Sequence, residues 1–192
     1  MKKLAFVFAA MLLTFSAFAQ EQWYVTAGYL RGNSINKEAN VSNASNGFYA
    51  GVGSEVPIAK NFYLVAEIEY ALQSTKDPDS AAKEYMHMIN VPLRFRYKYP
   101  VSPVVGVFAQ AGVLTSIGLA AYAKAGGVSV DYYGDSGILN RLDTKLGIGA
   151  GVELYKKVAV DFGYDWGMFN MSKVYGNNMK IHFLHVGLSY LF

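Results

Sequence analysis

The chain has 192 residues, no cysteine and a formal net charge of +3, and 53% of its residues are hydrophobic and 15% aromatic. The lack of cysteine excludes disulfides and thiolate metal sites, and the near-balanced charge gives no support for nucleic-acid binding. Beyond residue 19 there is no run of about 18 consecutive apolar residues, which excludes a membrane protein built from helices.

The first nineteen residues have the pattern of a cleaved secretory signal peptide. Lys2 and Lys3 precede an apolar stretch, residues 4–15, that is too short to span a bilayer, and Ala17 and Ala19 form a small-x-small cleavage pattern. We expect cleavage after Ala19, which leaves residues 20–192 as one domain. Without the two lysines the formal charge falls from +3 to +1.

From residue 23 onward, apolar and polar side chains alternate in segments that predict eight β-strands, because successive side chains of a strand point to opposite faces. The predicted strands cover residues 23–32, 46–56, 62–73, 85–99, 104–116, 141–155, 158–168 and 180–192. Their connections alternate strictly between short turns and long polar loops at 33–45, 74–84, 117–140 and 169–179. Long loops at one end and short turns at the other are typical of a transmembrane barrel, whereas a β-sandwich gives no reason to sort its loops. The sequence therefore predicts an all-β, eight-stranded antiparallel up-and-down transmembrane β-barrel.

The inward face of these predicted strands carries charges of both signs. A sheet that spans hydrocarbon must close on itself, and the interior of an eight-stranded barrel is filled by side chains. We expect the enclosed charges to pair, since an unpaired one costs several kcal/mol, and to plug the lumen. The predicted interior polar network consists of Glu55, Glu67, Glu69, Arg94, Arg96, Lys98, Arg141, Asp143, Lys145, Glu153, Asp161, Asp165 and His185.

The chain stops on an aromatic residue, Phe192, two positions after Tyr190. This strand resembles the terminal strand of bacterial outer-membrane barrels, and the resemblance implies that both residues belong to the signal read by the barrel-assembly machinery. The segment Val91 to Val113 (VPLRFRYKYPVSPVVGVFAQAGV) is similar to the small outer-membrane beta-barrel domain family, grouped with porin-like and OmpA/OmpX-like barrels. The resemblance implies a protein of the Gram-negative outer membrane that contacts membrane lipid and lipopolysaccharide.

The sequence leaves three functions open. The first is a structural or surface-interaction role, in which the outer loops bind an extracellular partner. Tyr122, Tyr132 and Tyr133 are the candidate contact residues, because tyrosine is enriched at binding hot spots. The second is a narrow porin-like channel for small solutes. The third is a lipid-modifying enzyme using Ser172 and His182, although no nucleophile motif surrounds them.

Other chemical motifs are weak. The glycines at 147, 149 and 151 alternate inside a predicted strand, whereas a dinucleotide loop needs GxGxxG between a strand and a helix. The acidic residues Asp131 and Asp135 do not have the spacing of a calcium loop. We therefore predict no enzymatic activity and no catalytic, cofactor-binding or metal site.

Overall fold

The computed structural model describes residues 21–36, 41–76, 83–125, 128–133, 137–174 and 178–192. No helix in these ranges is long and apolar enough to cross a membrane. The predicted signal peptide, residues 1–19, lies outside them. The strands in the described residues are β1 (Gln22–Asn36), β2 (Val41–Ala59), β3 (Phe62–Lys76), β4 (Lys83–Pro100), β5 (Val105–Ala125), β6 (Val128–Asp131), β7 (Leu142–Leu154), β8 (Val158–Gly167) and β9 (Met179–Leu191).

Eight of these strands form a closed antiparallel ring. Their order is β4-β3-β2-β1-β9-β8-β7-β5, and pairing of β4 with β5 closes it. The first and last strands are neighbours, with Tyr24 opposite Leu191. The short β6 pairs with the end of β5, from Tyr122 to Ala125. The predicted eight-stranded up-and-down barrel is confirmed, and closure gives each ring strand two hydrogen-bonded neighbours, as a spanning sheet requires.

Tight turns lie at one end of the barrel, together with both ends of the described chain. We call this the inner end, and the opposite end the outer end. The turn from β7 to β8 is closed by a hydrogen bond from Lys157 N–H to Leu154 C=O of 3.0 Å. Its two central residues, Tyr155 and Lys156, have φ of 53° and 55°. Two positive φ values are those of a type I′ turn, which matches the twist of a hairpin but strains residues other than glycine.

Two of the four predicted long loops, 33–45 and 117–140, are wrong in large part, and a third, 74–84, has strand residues at both of its ends, while residues 77–82 lie outside the described ranges. The strands continue through the polar sequence: β1 runs to Asn36 and β2 begins at Val41, β3 and β4 extend to Lys76 and Lys83, and β5 runs to Ala125. Asn- and Ser-rich composition is a loop signal, but here these residues pair with neighbouring strands, and the end of β1 pairs on both sides, with β2 and β9. The fourth segment, 168–178, is irregular in its described part except for a bridge at 172.

The two faces of the ring differ as predicted. Along β9, exposed and buried residues alternate from Ile181 to Leu191. The outward face is apolar along the strands, with exposed side chains that include Val25, Ile68, Phe95, Leu146, Phe162 and Leu188. A continuous apolar belt of this kind belongs in contact with acyl chains. Exposed aromatic side chains lie near the inner end at Trp23, Phe62, Tyr97, Tyr99, Tyr190 and Phe192, and farther out at Tyr29, Tyr70 and Trp166.

Candidate functional site: the layered barrel interior

An ion cluster lies nearest the inner end, and we call it the inner ion cluster. Glu55 of β2 accepts a charged hydrogen bond from Arg96 and forms an ion pair of 2.5 Å with Lys98, both on β4. Lys98 also donates to Glu153 of β7 at 2.5 Å. The Arg96 guanidinium makes two further bonds, of 2.9 and 2.7 Å, to the side-chain oxygen of Gln110. Each charge therefore has an opposite partner, which offsets the cost of removing it from water.

A second cluster, the central ion cluster, lies farther along the axis. Arg94 Nη2 donates to Asp165 Oδ1 and Oδ2 at 3.1 and 3.3 Å. His185 Nδ1 lies 3.1 Å from Asp165 Oδ2, and its Nε2 lies 3.4 Å from Asp161 Oδ2. The cluster joins β4 to β8 and β9, two strands that are not its neighbours in the sheet.

The third polar layer lies toward the outer end and is the most deeply buried. Lys145 pairs with Asp143 on the same strand, and Lys145 is only 1% exposed. The Lys145 ammonium lies 4.1 Å from the ring centroid of Phe183, within cation–π range. Ser116 links this layer to β4 by donating to Asn90 at 2.8 Å.

Two glycines of the wall make room for these clusters. A Cβ on Gly147 would lie 1.9 Å from Asp165 Oδ1, and one on Gly163 would lie 2.5 Å from the Cε1 atom of His185. The Asp165 carboxylate and the His185 ring thus lie directly against glycine backbone. Apolar side chains pack beside them in a cluster formed by Leu30, Tyr49, Ala71, Met88, Leu114, Met171, Ile181 and Phe183.

The space left inside the barrel is small beside Lys145, where a cavity measures about 10 Å³, and at the central ion cluster. The cavity there is about 20 Å³, whereas one cavity near the inner end and one near the outer end each measure about 220 Å³. A water molecule needs roughly 10–15 Å³ of such space. The centre therefore has room for about one water molecule.

The predicted interior residues are buried or half-buried in the structure, apart from Arg141. Arg141 is exposed at the outer end, one residue before β7, and it also lines the cavity of about 10 Å³ beside Asp143 and Lys145. Its Nη1 donates to the carbonyls of Gly118 and Leu119 at 3.2 and 3.0 Å. Sequence reasoning collected the charges and missed the neutral side chains that complete their hydrogen bonds, Asn90, Gln110 and Ser116. Their inward position in the alternation was the available signal.

The three tyrosines proposed as loop contacts have different environments. Tyr133 is only 5% exposed, so its prediction as an exposed contact residue needs correction. It packs below the guanidinium of Arg141, 4.8 Å from the ring centroid, and burial raises the pKa of its phenol to about 12. Tyr132 is half-buried and donates to Glu84 at 2.8 Å. Tyr122 is half-buried and faces outward.

The histidines outside the lumen lie apart from a serine nucleophile. Among the described residues, no hydrogen bond joins Ser172 to His182: Ser172 Oγ accepts from Val174 N–H at 3.1 Å, and His182 Nδ1 has no hydrogen-bond partner. On the outer surface, His87 Nδ1 lies 2.6 Å from the Tyr70 hydroxyl. Within the described ranges, no group of three or more His, Cys, Asp or Glu side chains is arranged to hold a metal ion.

The chain matches known barrels in sequence pattern and in fold. A protein-family model described as outer membrane protein beta-barrel domain matches residues 18–173, and no curated protein matches the chain significantly. Neisserial surface protein A superposes with a TM-score of 0.53 at 16% identity, over 88% of this chain and 97% of that one. Ail, the attachment invasion locus protein of Yersinia pestis, gives 0.51 at 15% identity over 90% and 99%. At such identities the likeness shows the fold alone.

Proposed function

Because the chain belongs to the outer membrane protein beta-barrel domain family and lies in the outer membrane, we propose that it is a non-conducting, surface-facing barrel with a sealed polar interior. The observation that carries this proposal is the narrowing of the interior to about 20 Å³ at the central ion cluster. A hydrated ion brings several waters, each of which needs roughly 10–15 Å³ of such space. Passage would require breaking the paired charges of Arg94, Asp165 and His185.

The working surface in this proposal is the outer end. The ring strands continue past the apolar belt there, and Tyr122 and Tyr132 remain as candidate contacts for an extracellular partner. Three outward-facing cations, Arg31, Lys83 and Lys124, are exposed on this part of the wall, where the phosphates of lipopolysaccharide would neutralise them. Residues 1–19 retain their proposed role as the export signal, and Tyr190 and Phe192 as the assembly signal.

Planar-bilayer recording tests the sealed interior against the competing function, a narrow channel for small solutes. We expect no steady conductance above background from the wild-type protein. A variant with Arg94→Ser and Arg96→Ser, which removes two lumen-filling guanidinium groups, is expected to pass current and shows that the assay detects an open barrel. Heat-modifiable migration on a gel confirms that both proteins are folded. A stable, ion-selective current through the wild-type protein would refute the proposal.

A further inference from the structure

We propose that the cavity at the outer end of the barrel is a binding site for one neutral pyranose sugar ring. The proposal deepens the surface-facing role and rests on it, because the outer end must face the medium for such a ligand to enter. Whereas the space at the central ion cluster is about 20 Å³, this cavity measures about 220 Å³. This volume limits the ligand to a small molecule or to the terminal unit of a larger one.

The cavity has a closed floor and an open mouth. Its floor contains Gln73, Ala121 and Ile181, which are 3%, 1% and 6% exposed. At its outer edge lie Asn43 and Ile138, both exposed. A ligand entering from the outer end would therefore reach the floor with one side of the molecule still in contact with solvent.

Gln73 supplies the observation that points to a ligand. Its side chain is buried, yet its Nε2 finds no hydrogen-bond partner among the described residues. The amide lies against Gly32, where a Cβ would be 2.5 Å from Nε2. A buried amide donor without an acceptor is unfavourable, and the Gln73 side chain lines the cavity. A hydroxyl or ring oxygen of a ligand would supply the missing acceptor.

The lining is divided into a polar half and an apolar half. The neighbouring strands β1, β2 and β3 contribute short hydroxyl and amide side chains, Ser34, Asn43, Ser45, Gln73 and Thr75. The other side of the ring contributes mostly apolar or aromatic ones, including Met86, Tyr132, Leu139, Met179 and Ile181. A pyranose ring has the matching pattern, with hydroxyls around its edge and C–H groups on its faces. A purely apolar ligand would leave the polar half unpaired.

The charge of the cavity selects a neutral sugar over an anionic one. Among the described residues, Glu84 is the one charged residue of the lining, and its carboxylate already accepts from the Tyr132 hydroxyl at 2.8 Å. A carboxylate accepts hydrogen bonds from sugar hydroxyls, whereas it repels phosphate or sulfate. The outward-facing cations Lys83 and Lys124 lie on the other face of the same strands and do not line the cavity.

The experiment titrates the full-length protein, folded in a detergent without a sugar headgroup. Saturation-transfer NMR and calorimetry would follow D-glucose, D-galactose and N-acetyl-D-glucosamine, with glucose 6-sulfate as the anionic counterpart. We expect saturable binding of at least one neutral sugar in the millimolar range, with the sulfate at least tenfold weaker. Glucosyl diacylglycerol in vesicles presents the same sugar ring on a membrane lipid and tests that source of the ligand. Saturable binding of either the free or the lipid-linked sugar supports the site.

Two cavity variants and one matched control connect binding to this site. Gln73→Met keeps the side-chain length but removes the amide, and we expect affinity to fall roughly fivefold, as for the loss of one neutral hydrogen bond. Thr75→Val provides a second variant of nearly unchanged shape in case Gln73→Met does not fold. Thr115→Val makes the same substitution on the outward face of β5 and should leave binding unchanged.

Either of two results would overturn the sugar site. One is the absence of saturable binding by every neutral sugar, free or lipid-linked, to protein whose gel migration shows that it is folded. The other is equal affinity in wild type, Gln73→Met and Thr75→Val. Neither result bears on the sealed interior, which the conductance measurement tests separately.

Discussion

Arg94 of β4 and Asp165 of β8 meet inside the barrel with 3.1 Å between Nη2 and Oδ1, although β5 and β7 lie between their strands in the ring. Their side chains are 6% and 1% exposed. The pair therefore spans the lumen and joins strands that backbone hydrogen bonds do not connect. We infer that the pair helps to fix which strands face each other across the lumen, and that it also helps to seal the lumen.

Breaking this pair on one side is expected to cost more than removing it altogether. Arg94→Met or Asp165→Leu alone leaves a buried charge without its main partner, which typically costs about 3–5 kcal/mol. The double variant leaves neither charge and should lose less than the sum of the two single changes. Urea unfolding of detergent-folded protein, followed by gel migration, measures the three free energies. Additive losses would mean that the two side chains do not interact.

Gly147 is predicted to be intolerant of even a methyl group. In Gly147→Ala the new Cβ would lie 1.9 Å from Asp165 Oδ1 and displace the carboxylate from Arg94, so we expect a loss of about 1–3 kcal/mol in unfolding free energy. Gly106→Ala is the matched control, because its nearest atoms lie at 3.8 and 3.9 Å. Similar stabilities for the two variants would contradict the close approach at Gly147.

The turn between β7 and β8 offers a stabilising change. Lys156 has φ of 55°, a conformation that costs a residue other than glycine about 1–2 kcal/mol. Lys156→Gly should raise the unfolding free energy by about 1 kcal/mol. At Lys157, which has no positive φ, glycine should instead lower stability by about 0.5–1 kcal/mol. Thermal unfolding of the two variants measures the changes in stability. Higher stability in both variants, or in neither, would count against the turn geometry.

Phe192 is expected to matter for assembly and little for stability. Its side chain is 70% exposed, and its backbone N–H bonds to the Trp23 carbonyl at 2.9 Å whatever side chain it carries. Phe192→Ala should therefore fold in detergent like the wild type, but accumulate less in the outer membrane of cells. Phe162→Ala, an outward phenylalanine that is 61% exposed, controls for lost surface area. Equal membrane levels of the two variants would remove Phe192 from the assembly signal.

The non-enzymatic role predicts no turnover of membrane lipid that depends on His182. In the described chain no hydrogen bond joins His182 to Ser172, the base and nucleophile that such a hydrolase would use. Phospholipase and lipid deacylase assays should give the same background with wild type and with His182→Ala. Turnover by the wild type that His182→Ala abolishes would establish an enzyme instead.

The amino-acid sequence alone was sufficient to predict the eight ring strands, their inward and outward faces and the tight turns at the inner end. The reason is physical: a strand with lipid on one side and an enclosed lumen on the other must alternate apolar and polar side chains at every residue. This two-residue period can be read directly from the sequence. The same alternation located most of the buried charges, such as Glu55 and Asp165.

Tertiary structure alone decided which charges pair, where the strands end and what space remains inside. The partner of Arg94 depends on ring closure, which brings β8 near β4, and no local pattern encodes that distance. The polar strand ends were misread as loops because their backbone pairing depends on neighbours distant in sequence. Ile35, for example, pairs with Lys180 of β9 as well as with Ser42 of β2. The Nε2 atom of Gln73, which has no hydrogen-bond partner in the described chain, likewise takes its position only when the walls of the cavity have come together.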